Sequence, residues 1–200
     1  MEFVPMEQVR QQMICPFCGG NEGEVPSAVA AYRLDGSNLL PGEDPSIWST
    51  RVIPNRYPSF SLCSTEGLER PDLGNQSCGP FKFNRSQGIQ ELIIPSARHV
   101  SSLSELSDEE LYLSFRVCRD RLEHAKSLEC IKHAMLFMNC RLAAGASLEH
   151  IHYQLIGTPV LSESLISRTT RAEAYRLENG RSMLLDLADW EIAQGARIVD

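Results

Sequence analysis

One short stretch, residues 150–155, limits what this chain can fold into more than any other. Polar and apolar residues alternate there without a break, in the order His150, Ile151, His152, Tyr153, Gln154 and Leu155. A period of two is typical of a β-strand, whose successive side chains point to opposite faces. The pattern therefore predicts a strand with two imidazoles and an amide on one face and a packed apolar face behind them.

A turn of small residues, Gly145, Ala146 and Ser147, comes shortly before these histidines. The backbone amides and the hydroxyl of such a turn can donate hydrogen bonds to phosphate oxygens. We therefore predict a phosphate-binding site between the turn and the histidine face. The alternative is two unrelated histidines on a half-exposed strand.

The remaining patterns predict an α+β fold with a largely antiparallel sheet and packed helices. Three further strands are predicted at 48–57, 89–94 and 134–139, the last of them buried. A capping-box pattern at Ser107 and Glu110 predicts a helix from Asp108 to about Ser127. Its predicted buried stripe is Leu111, Phe115, Cys118, Leu122 and Ala125. Two more helices are predicted at 163–177 and 183–193, and a polar loop from the first cysteines to about residue 45.

Composition excludes some classes of protein. The net charge of −7 over 200 residues argues against a nucleic-acid partner held by charge. No apolar run reaches the length of a membrane span, and no signal peptide is evident. We therefore predict a cytoplasmic protein with neither a nucleic-acid nor a membrane partner.

A metal site is predicted from the spacing of Cys15 and Cys18, which supplies two thiolates at knuckle distance. His99 and His150 are the natural candidates for the other two ligands, which would make a closed, structural zinc site. A redox dithiol and two plain buried cysteines are the alternatives. The seven cysteines favour thiols and metal over a disulfide framework in a chain without an export signal.

If His150 binds the metal, His152 is free to act as a nucleophile. A neutral imidazole can attack a nucleotide phosphorus, provided that an acceptor, often a backbone carbonyl, fixes the proton on its other ring nitrogen. The Gln154 amide can donate to phosphate but cannot readily act as an acid or base. This favours transfer to a phosphate over hydrolysis.

Four motifs in order resemble the galactose-1-phosphate uridylyltransferase family of the histidine-triad superfamily. They are Cys15-Pro-Phe-Cys18-x-x-Asn-Glu, Trp48-x-x-Arg-Val-x-Pro-Asn-Arg-Tyr57, Glu91-Leu-Ile-Ile-Pro-x-x-x-His99 and Gly145-Ala-Ser-x-x-His-x-His-x-Gln154. The resemblance implies a histidine-triad-like fold with a zinc knuckle. It also implies a nucleotidyltransferase domain over 1–160, followed over 161–200 by a helical bridge and the start of a second half that is absent.

The resemblance also implies roles for individual residues. Cys15, Cys18, His99 and His150 match zinc ligands, and His152 matches the histidine that becomes uridylylated. Gln154 and Ser147 match phosphate contacts, and Asn55 and Asn139 match residues that line the nucleotide site. The implied substrates are a nucleotide sugar, UDP-hexose first among them, and a sugar phosphate, and the implied assembly is a homodimer.

This sequence departs from the family pattern at three positions. Ile151 replaces the proline between the two histidines, Arg141 replaces a common glycine, and Gln90 replaces a histidine. Three functions therefore stay open. They are a ping-pong nucleotidyltransferase that acts through His152, a nucleotide phosphorylase or hydrolase of the same superfamily, and a truncated, non-catalytic nucleotide-binding module.

Overall fold

Seven strands and three helices appear in a computed structural model of the chain, which describes residues 14–40, 43–44, 47–60, 77–78, 80–82 and 86–198. The strands are β1 (Ala30–Tyr32), β2 (Thr50–Pro54), β3 (Ser77–Cys78), β4 (Phe81–Lys82), β5 (Ile89–Ile94), β6 (His133–Met138) and β7 (Tyr153–Thr158). The helices are α1 (Asp108–Ser127), α2 (Glu163–Asn179) and α3 (Met183–Gln194). The chain divides into two compact units between Pro159 and Val160.

The main sheet has five strands in the order β1-β2-β5-β7-β6, and every neighbouring pair is antiparallel. The short strands β3 and β4 pair separately. The predicted α+β class with a largely antiparallel sheet is therefore confirmed.

The two faces of this sheet have different neighbours. Val52, Ile93 and Tyr153 point to one face and share a buried cluster with Leu113 and Val117 of α1. The opposite face carries a cross-strand row in which Ile53 pairs with Leu92, and Leu92 pairs with Gln154. One face is thus closed by the helix, and the other is left to form the candidate site.

Helix α1 begins as predicted, with Ser107 as N-cap and both hydrogen bonds of the capping box to Glu110. Its predicted buried stripe is only partly right. Leu113 and Val117 are buried, whereas Phe115 is 52% exposed. The predicted positions and the positions that are buried in the structure both recur at helical spacing. The periodicity alone therefore cannot decide which of the two faces of the helix packs on the sheet.

Two strand predictions need correction. The strand predicted to begin at His150 begins at Tyr153, although the alternation of buried and half-buried residues holds from there to Thr158. Strand β6 is not buried as predicted but lies at the edge of the sheet, where Met135 is 48% exposed. An edge strand has a partner on only one side.

Two further features differ from the sequence-based expectation. The predicted polar loop contains strand β1, which pairs with β2. Cys130 is in a disulfide bond, whereas the sequence favoured thiols and metal. The cysteines of the predicted metal site, Cys15 and Cys18, are free thiols as expected.

The second unit contains α2 and α3, close to the predicted bounds. Gly180 ends α2 in the left-handed conformation, with φ of 68°, which a glycine adopts without a steric penalty. No residue of either helix is buried. None of the helices in the described part of the chain combines the length and apolar character that a bilayer crossing needs.

A buried ion pair links α1 to the sheet, and its removal gives a first prediction about stability. The Arg121 guanidinium donates two hydrogen bonds to the Glu91 carboxylate, at 2.8 and 2.6 Å. Replacement of Arg121 by methionine would leave a buried carboxylate without its partner, so we expect a loss of about 3 kcal/mol in the free energy of unfolding, measured by urea denaturation. Arg119→Met, which removes an exposed pair with Asp120, should cost less than about 1 kcal/mol. Equal losses for the two variants would contradict this assignment.

Candidate active site and metal centre

Four side chains from distant parts of the sequence meet in a cluster that could hold a metal ion. They are Cys15, Cys18, His99 and His150, and their ligand atoms all lie within 4.8 Å of one another. The cysteines come from the N-terminal knuckle, and the histidines come from segments that follow β5 and precede β7. The structure therefore brings the four predicted ligands together.

The distances within this cluster fit a tetrahedral ion. The Nδ1 atom of His150 lies 3.6 Å from Cys15 Sγ and 3.7 Å from Cys18 Sγ, and His99 Nδ1 lies 3.4 Å from Cys18 Sγ. Bond lengths of about 2.3 Å to sulfur and 2.0 Å to nitrogen at a tetrahedral centre place the two ligand atoms about 3.5 Å apart. Two sulfur and two nitrogen donors at this spacing suit zinc better than calcium or magnesium, which prefer oxygen.

The protein fixes which nitrogen of His150 faces the thiols. Its Nε2 lies 3.1 Å from the Ser96 carbonyl oxygen. Because a carbonyl can only accept, Nε2 carries the proton and Nδ1 keeps its lone pair for a metal. Burial also lowers the pKa of His150 to about 4, which favours the neutral ring. Burial and the neighbouring Cys15 thiol raise the pKa of Cys18 to about 11, so metal binding displaces a proton there.

A second group of residues, not predicted from the sequence, holds the knuckle against the sheet. The Glu22 carboxylate accepts hydrogen bonds from the Gly20 amide at 3.0 Å and from Trp48 Nε1 at 2.7 Å. The buried Arg51 guanidinium stacks over the Trp48 ring at 4.7 Å and lies 4.0 Å from Glu22. Arg51 and Trp48 belong to a motif noted in the sequence, but spacing alone gave no sign that they contact the knuckle.

A cavity of about 1000 Å³ opens beside the metal cluster. Of the residues predicted for nucleotide and phosphate, it is lined by Asn55, Ser147, His152 and Gln154. Two of the metal-cluster residues, Cys15 and His99, also line it. The cavity lies on the sheet face that α1 leaves open, since its wall includes Ile53, Leu92 and Gln154 of the cross-strand row.

His152 is held as a nucleophilic imidazole needs to be. Its Nδ1 lies 2.9 Å from the carbonyl oxygen of His150. The proton therefore sits on Nδ1, and Nε2 carries the lone pair. The ring is buried, with 5% of its residue surface exposed. Burial lowers the pKa of His152, and its hydrogen bond to the carbonyl opposes this only in part.

Three predicted residues do not line the cavity. Asn139, Gly145 and Ala146 lie in and around the turn that leads to Ser147. Gly145 closes a single 3-10 turn with φ of 85°, and an added Cβ would sit 3.8 Å from the Asn139 amide nitrogen. Ala146 is buried and donates its amide to the Arg141 carbonyl. In this structure these residues shape the turn.

Other residues of the cavity wall were not expected from the sequence. The Phe17 ring meets the His152 ring edge-on, with centroids 5.1 Å apart, and it lies in the wall beside Val25, Pro26, Ile53 and Leu92. Such an apolar wall suits the flat face of a base. Charged residues Glu24, Arg56 and Glu149 also line the cavity. Only the position of Phe17 between the two cysteines could have signalled its role.

Comparison with known proteins gives matches among both curated sequences and solved structures. The chain is 27% identical over 172 residues to an ADP-glucose phosphorylase of Arabidopsis thaliana. It is 24% identical over 123 residues to a galactose-1-phosphate uridylyltransferase of Thermotoga maritima. A crystal structure of the Arabidopsis ADP-glucose phosphorylase with bound ADP-glucose matches 84% of this chain and 47% of its own, with a TM-score of 0.61 and 27% identity. No protein-family model matches the sequence.

These matches cover unequal shares of the proteins compared. The two curated relatives are matched over 86% and 62% of this chain, but over only 45% and 37% of their own lengths. The chain thus spans less than half of each curated relative.

Proposed function

We propose that this chain, which belongs to the superfamily of galactose-1-phosphate uridylyltransferases and histidine-triad proteins, transfers a nucleoside monophosphate from a nucleotide sugar to a phosphate acceptor. The observation that carries this proposal is the hydrogen bond from His152 Nδ1 to the His150 carbonyl. It leaves Nε2 as the nucleophilic nitrogen in a cavity large enough for a nucleotide.

The proposed reaction has two displacement steps. In the first, His152 Nε2 attacks the α-phosphorus, a nitrogen–phosphorus bond forms, and the sugar 1-phosphate leaves with the electrons of the broken phosphorus–oxygen bond. In the second, an oxygen of the acceptor phosphate attacks the same phosphorus, and His152 is released unchanged. Donors from Ser147 and Gln154 in the cavity wall would stabilise the charge that develops on the phosphate oxygens.

We propose that the metal cluster binds a structural zinc ion through its four ligands, Cys15, Cys18, His99 and His150. A zinc ion held by four protein ligands would contribute folding energy and fix the position of the knuckle. The knuckle contributes Phe17 to the cavity wall, and His150 supplies the carbonyl that orients His152. We therefore assign the metal a positional role and place residues 1–160 in the nucleotidyltransferase domain.

Two acceptors are compatible with this chemistry, and each is favoured by one relative. Uridylyl transfer with galactose 1-phosphate is the activity in the name of the uridylyltransferase match, and for this chain it would correspond to transfer from a UDP-hexose to a hexose 1-phosphate. Phosphorolysis of ADP-glucose, with inorganic phosphate as acceptor, is the activity named by the phosphorylase matches. Gln154 is compatible with both, since it does not activate water.

Intact-mass spectrometry after incubation with UDP-glucose, UDP-galactose or ADP-glucose tests the proposal. We expect one covalent uridylyl or adenylyl group per chain, and the base that is retained identifies the donor. Subsequent addition of inorganic phosphate or of a hexose 1-phosphate should discharge the adduct, and the faster of the two identifies the acceptor. If none of the three nucleotide sugars gives an adduct, the catalytic proposal is wrong and the non-catalytic alternative gains support.

A further inference from the structure

The five residues that follow β5 contact every part of the metal cluster. They include His99, one of the four clustered residues. The Ser96 carbonyl accepts the hydrogen bond from His150 Nε2 at 3.1 Å, and the Ala97 carbonyl accepts one from the Gly19 amide of the knuckle at 2.8 Å. This segment therefore holds both histidines of the cluster and the knuckle that carries the two cysteines.

The Ser96 side chain connects this segment to helix α1. Ser96 is 1% exposed, and its hydroxyl donates a hydrogen bond to Glu110 Oε1 at 2.9 Å. The same hydroxyl oxygen accepts a hydrogen bond from the Arg98 amide at 3.1 Å. Burial of a hydroxyl costs free energy unless it is hydrogen-bonded, so these partners determine where the Ser96 backbone lies. Ser96 thus presents its hydroxyl to the helix and its carbonyl to His150.

The Glu110 carboxylate is held on its other oxygen as well. Its Oε2 accepts hydrogen bonds from the Ser107 amide at 2.9 Å and from Arg98 Nη2 at 2.7 Å. The capping box of α1 uses only the pair of bonds between Glu110 and Ser107. The bond from Ser96 is therefore an additional contact, which helix capping does not require, and substitution can separate the two roles of Glu110.

These contacts reach the proposed nucleophile through His150. The bond to the Ser96 carbonyl fixes the His150 ring with Nδ1 toward the thiols. The His150 carbonyl in turn accepts the hydrogen bond from His152 Nδ1 at 2.9 Å. A shift of the Ser96 backbone would therefore disturb a metal ligand first and the orientation of His152 second.

We propose that Ser96 and Glu110 are positioning residues of the metal cluster, in which Glu110 fixes Ser96 and the Ser96 carbonyl orients His150 for metal binding. This inference rests on the proposed function, because it takes the cluster to bind a metal ion. Replacement of a group that orients a metal-binding histidine typically lowers metal affinity by about 10- to 100-fold.

Four variants separate this role from the capping of α1. Ser96→Ala removes the hydroxyl and keeps both the carbonyl and the capping box. Glu110→Ala removes the anchor of Ser96 together with one half of the capping box. Ser107→Ala is the matched control, since it removes the other half of the capping box and leaves the bond between Ser96 and Glu110. Glu110→Gln keeps an acceptor oxygen and a residue suited to capping, and so tests rescue by a conservative change.

Titration of the metal-free protein with Co²⁺, in competition with a chelator, measures the expected loss of affinity. Co²⁺ in a tetrahedral site with sulfur ligands absorbs visible light, so the spectrum reports both occupancy and geometry. The Kd should rise at least about tenfold in Ser96→Ala and Glu110→Ala, and less in Glu110→Gln. Ser107→Ala should melt about 3 °C lower than the parent and should keep the parental Kd.

The proton on His150 Nε2 gives a readout that a loss of helix stability alone would not change. His150 is fully buried and this proton is bonded to the Ser96 carbonyl, so it should exchange slowly with solvent. Nitrogen-15 NMR of the zinc-loaded protein should show exchange that is faster by about tenfold or more in Ser96→Ala. The Ser107→Ala variant should exchange this proton at the parental rate.

The possible failures are distinguishable. Parental Co²⁺ affinity and parental proton exchange in Ser96→Ala would reject the positioning role and leave the metal site of the proposed function intact. An equal loss of affinity in Ser107→Ala and Ser96→Ala would show that metal binding follows overall stability, which also rejects the positioning role. Failure of the parent to bind Co²⁺ would reject the proposed metal site, and this inference with it.

Discussion

Replacement of His152 by glycine is expected to abolish the covalent nucleotidyl adduct and to lower turnover by at least about a thousandfold. Among the described residues, His152 is the one histidine that lines the cavity without belonging to the metal cluster. The variant removes this imidazole. Because His152 is not one of the four clustered ligands, the variant should fold and retain its metal. Metal analysis and circular dichroism check the fold, and intact-mass spectrometry with a nucleotide sugar checks the adduct.

The chemical stability of the adduct formed by the unmodified protein gives a second test of this prediction. A nucleotide bound through nitrogen is a phosphoramidate, which acid cleaves readily and alkali does not. His124→Ala, which changes an exposed histidine of α1, is the matched control and should form the adduct at the parental rate. An adduct that survives acid, or one that still forms in His152→Gly, would show that another residue is the nucleophile.

The sequence contained most of the information about the metal cluster and the proposed nucleophile, His152, for a physical reason. A Cys-x-x-Cys knuckle needs two more soft or borderline ligands, and few histidines were available to supply them. One ring nitrogen of His152 was expected to donate its proton to an acceptor such as a backbone carbonyl, and in the structure Nδ1 donates to the carbonyl of His150. These predictions depend on local chemistry and short spacings, which a sequence shows directly.

The bounds of the histidine strand could not be obtained in this way. His150 and Ile151 follow the alternation of a strand, but tertiary contacts hold them elsewhere. The His150 ring donates to the Ser96 carbonyl, and the Ile151 amide donates to the Val100 carbonyl at 2.9 Å. These bonds tie the two residues to the His99 segment, so the sheet ladder starts only at Tyr153. A proline at position 151, as in the family pattern, could not make the Ile151 bond.

The composition of the cavity wall could not be predicted from the sequence either, because its residues come together only in the folded chain. Phe17 and His152 are far apart in sequence, and their rings meet because the cysteine knuckle docks on the sheet. The contact of Arg51 with Trp48 and Glu22 depends on the same docking. No periodicity or spacing encodes such contacts, so whole-chain packing was needed to reveal them.

Replacement of Cys15 by serine is expected to lower the metal content and the stability of the protein first, whereas His152→Gly should leave both unchanged. One thiolate of the four-ligand cluster is lost, so the metal content should fall well below one ion per chain. A metal that is present at a thousandfold excess over its Kd stabilises the folded state by about 4 kcal/mol. We expect a loss of this order in the free energy of unfolding, and a similar loss when a chelator is added to the parent.

Cys140→Ser is the matched control, since Cys140 is a free and exposed cysteine outside the cluster; it should keep both metal and stability. Retention of metal and melting temperature in Cys15→Ser would show that the cluster is not a metal site. The metal cluster holds Phe17 and, through His150, the carbonyl that orients His152. Molecules of Cys15→Ser that lose the metal should therefore lose the adduct as well, and molecules that keep the metal should still form it. His152→Gly should lose the adduct while the metal stays bound, so the two variants together separate the residues that hold the site from the residue that reacts.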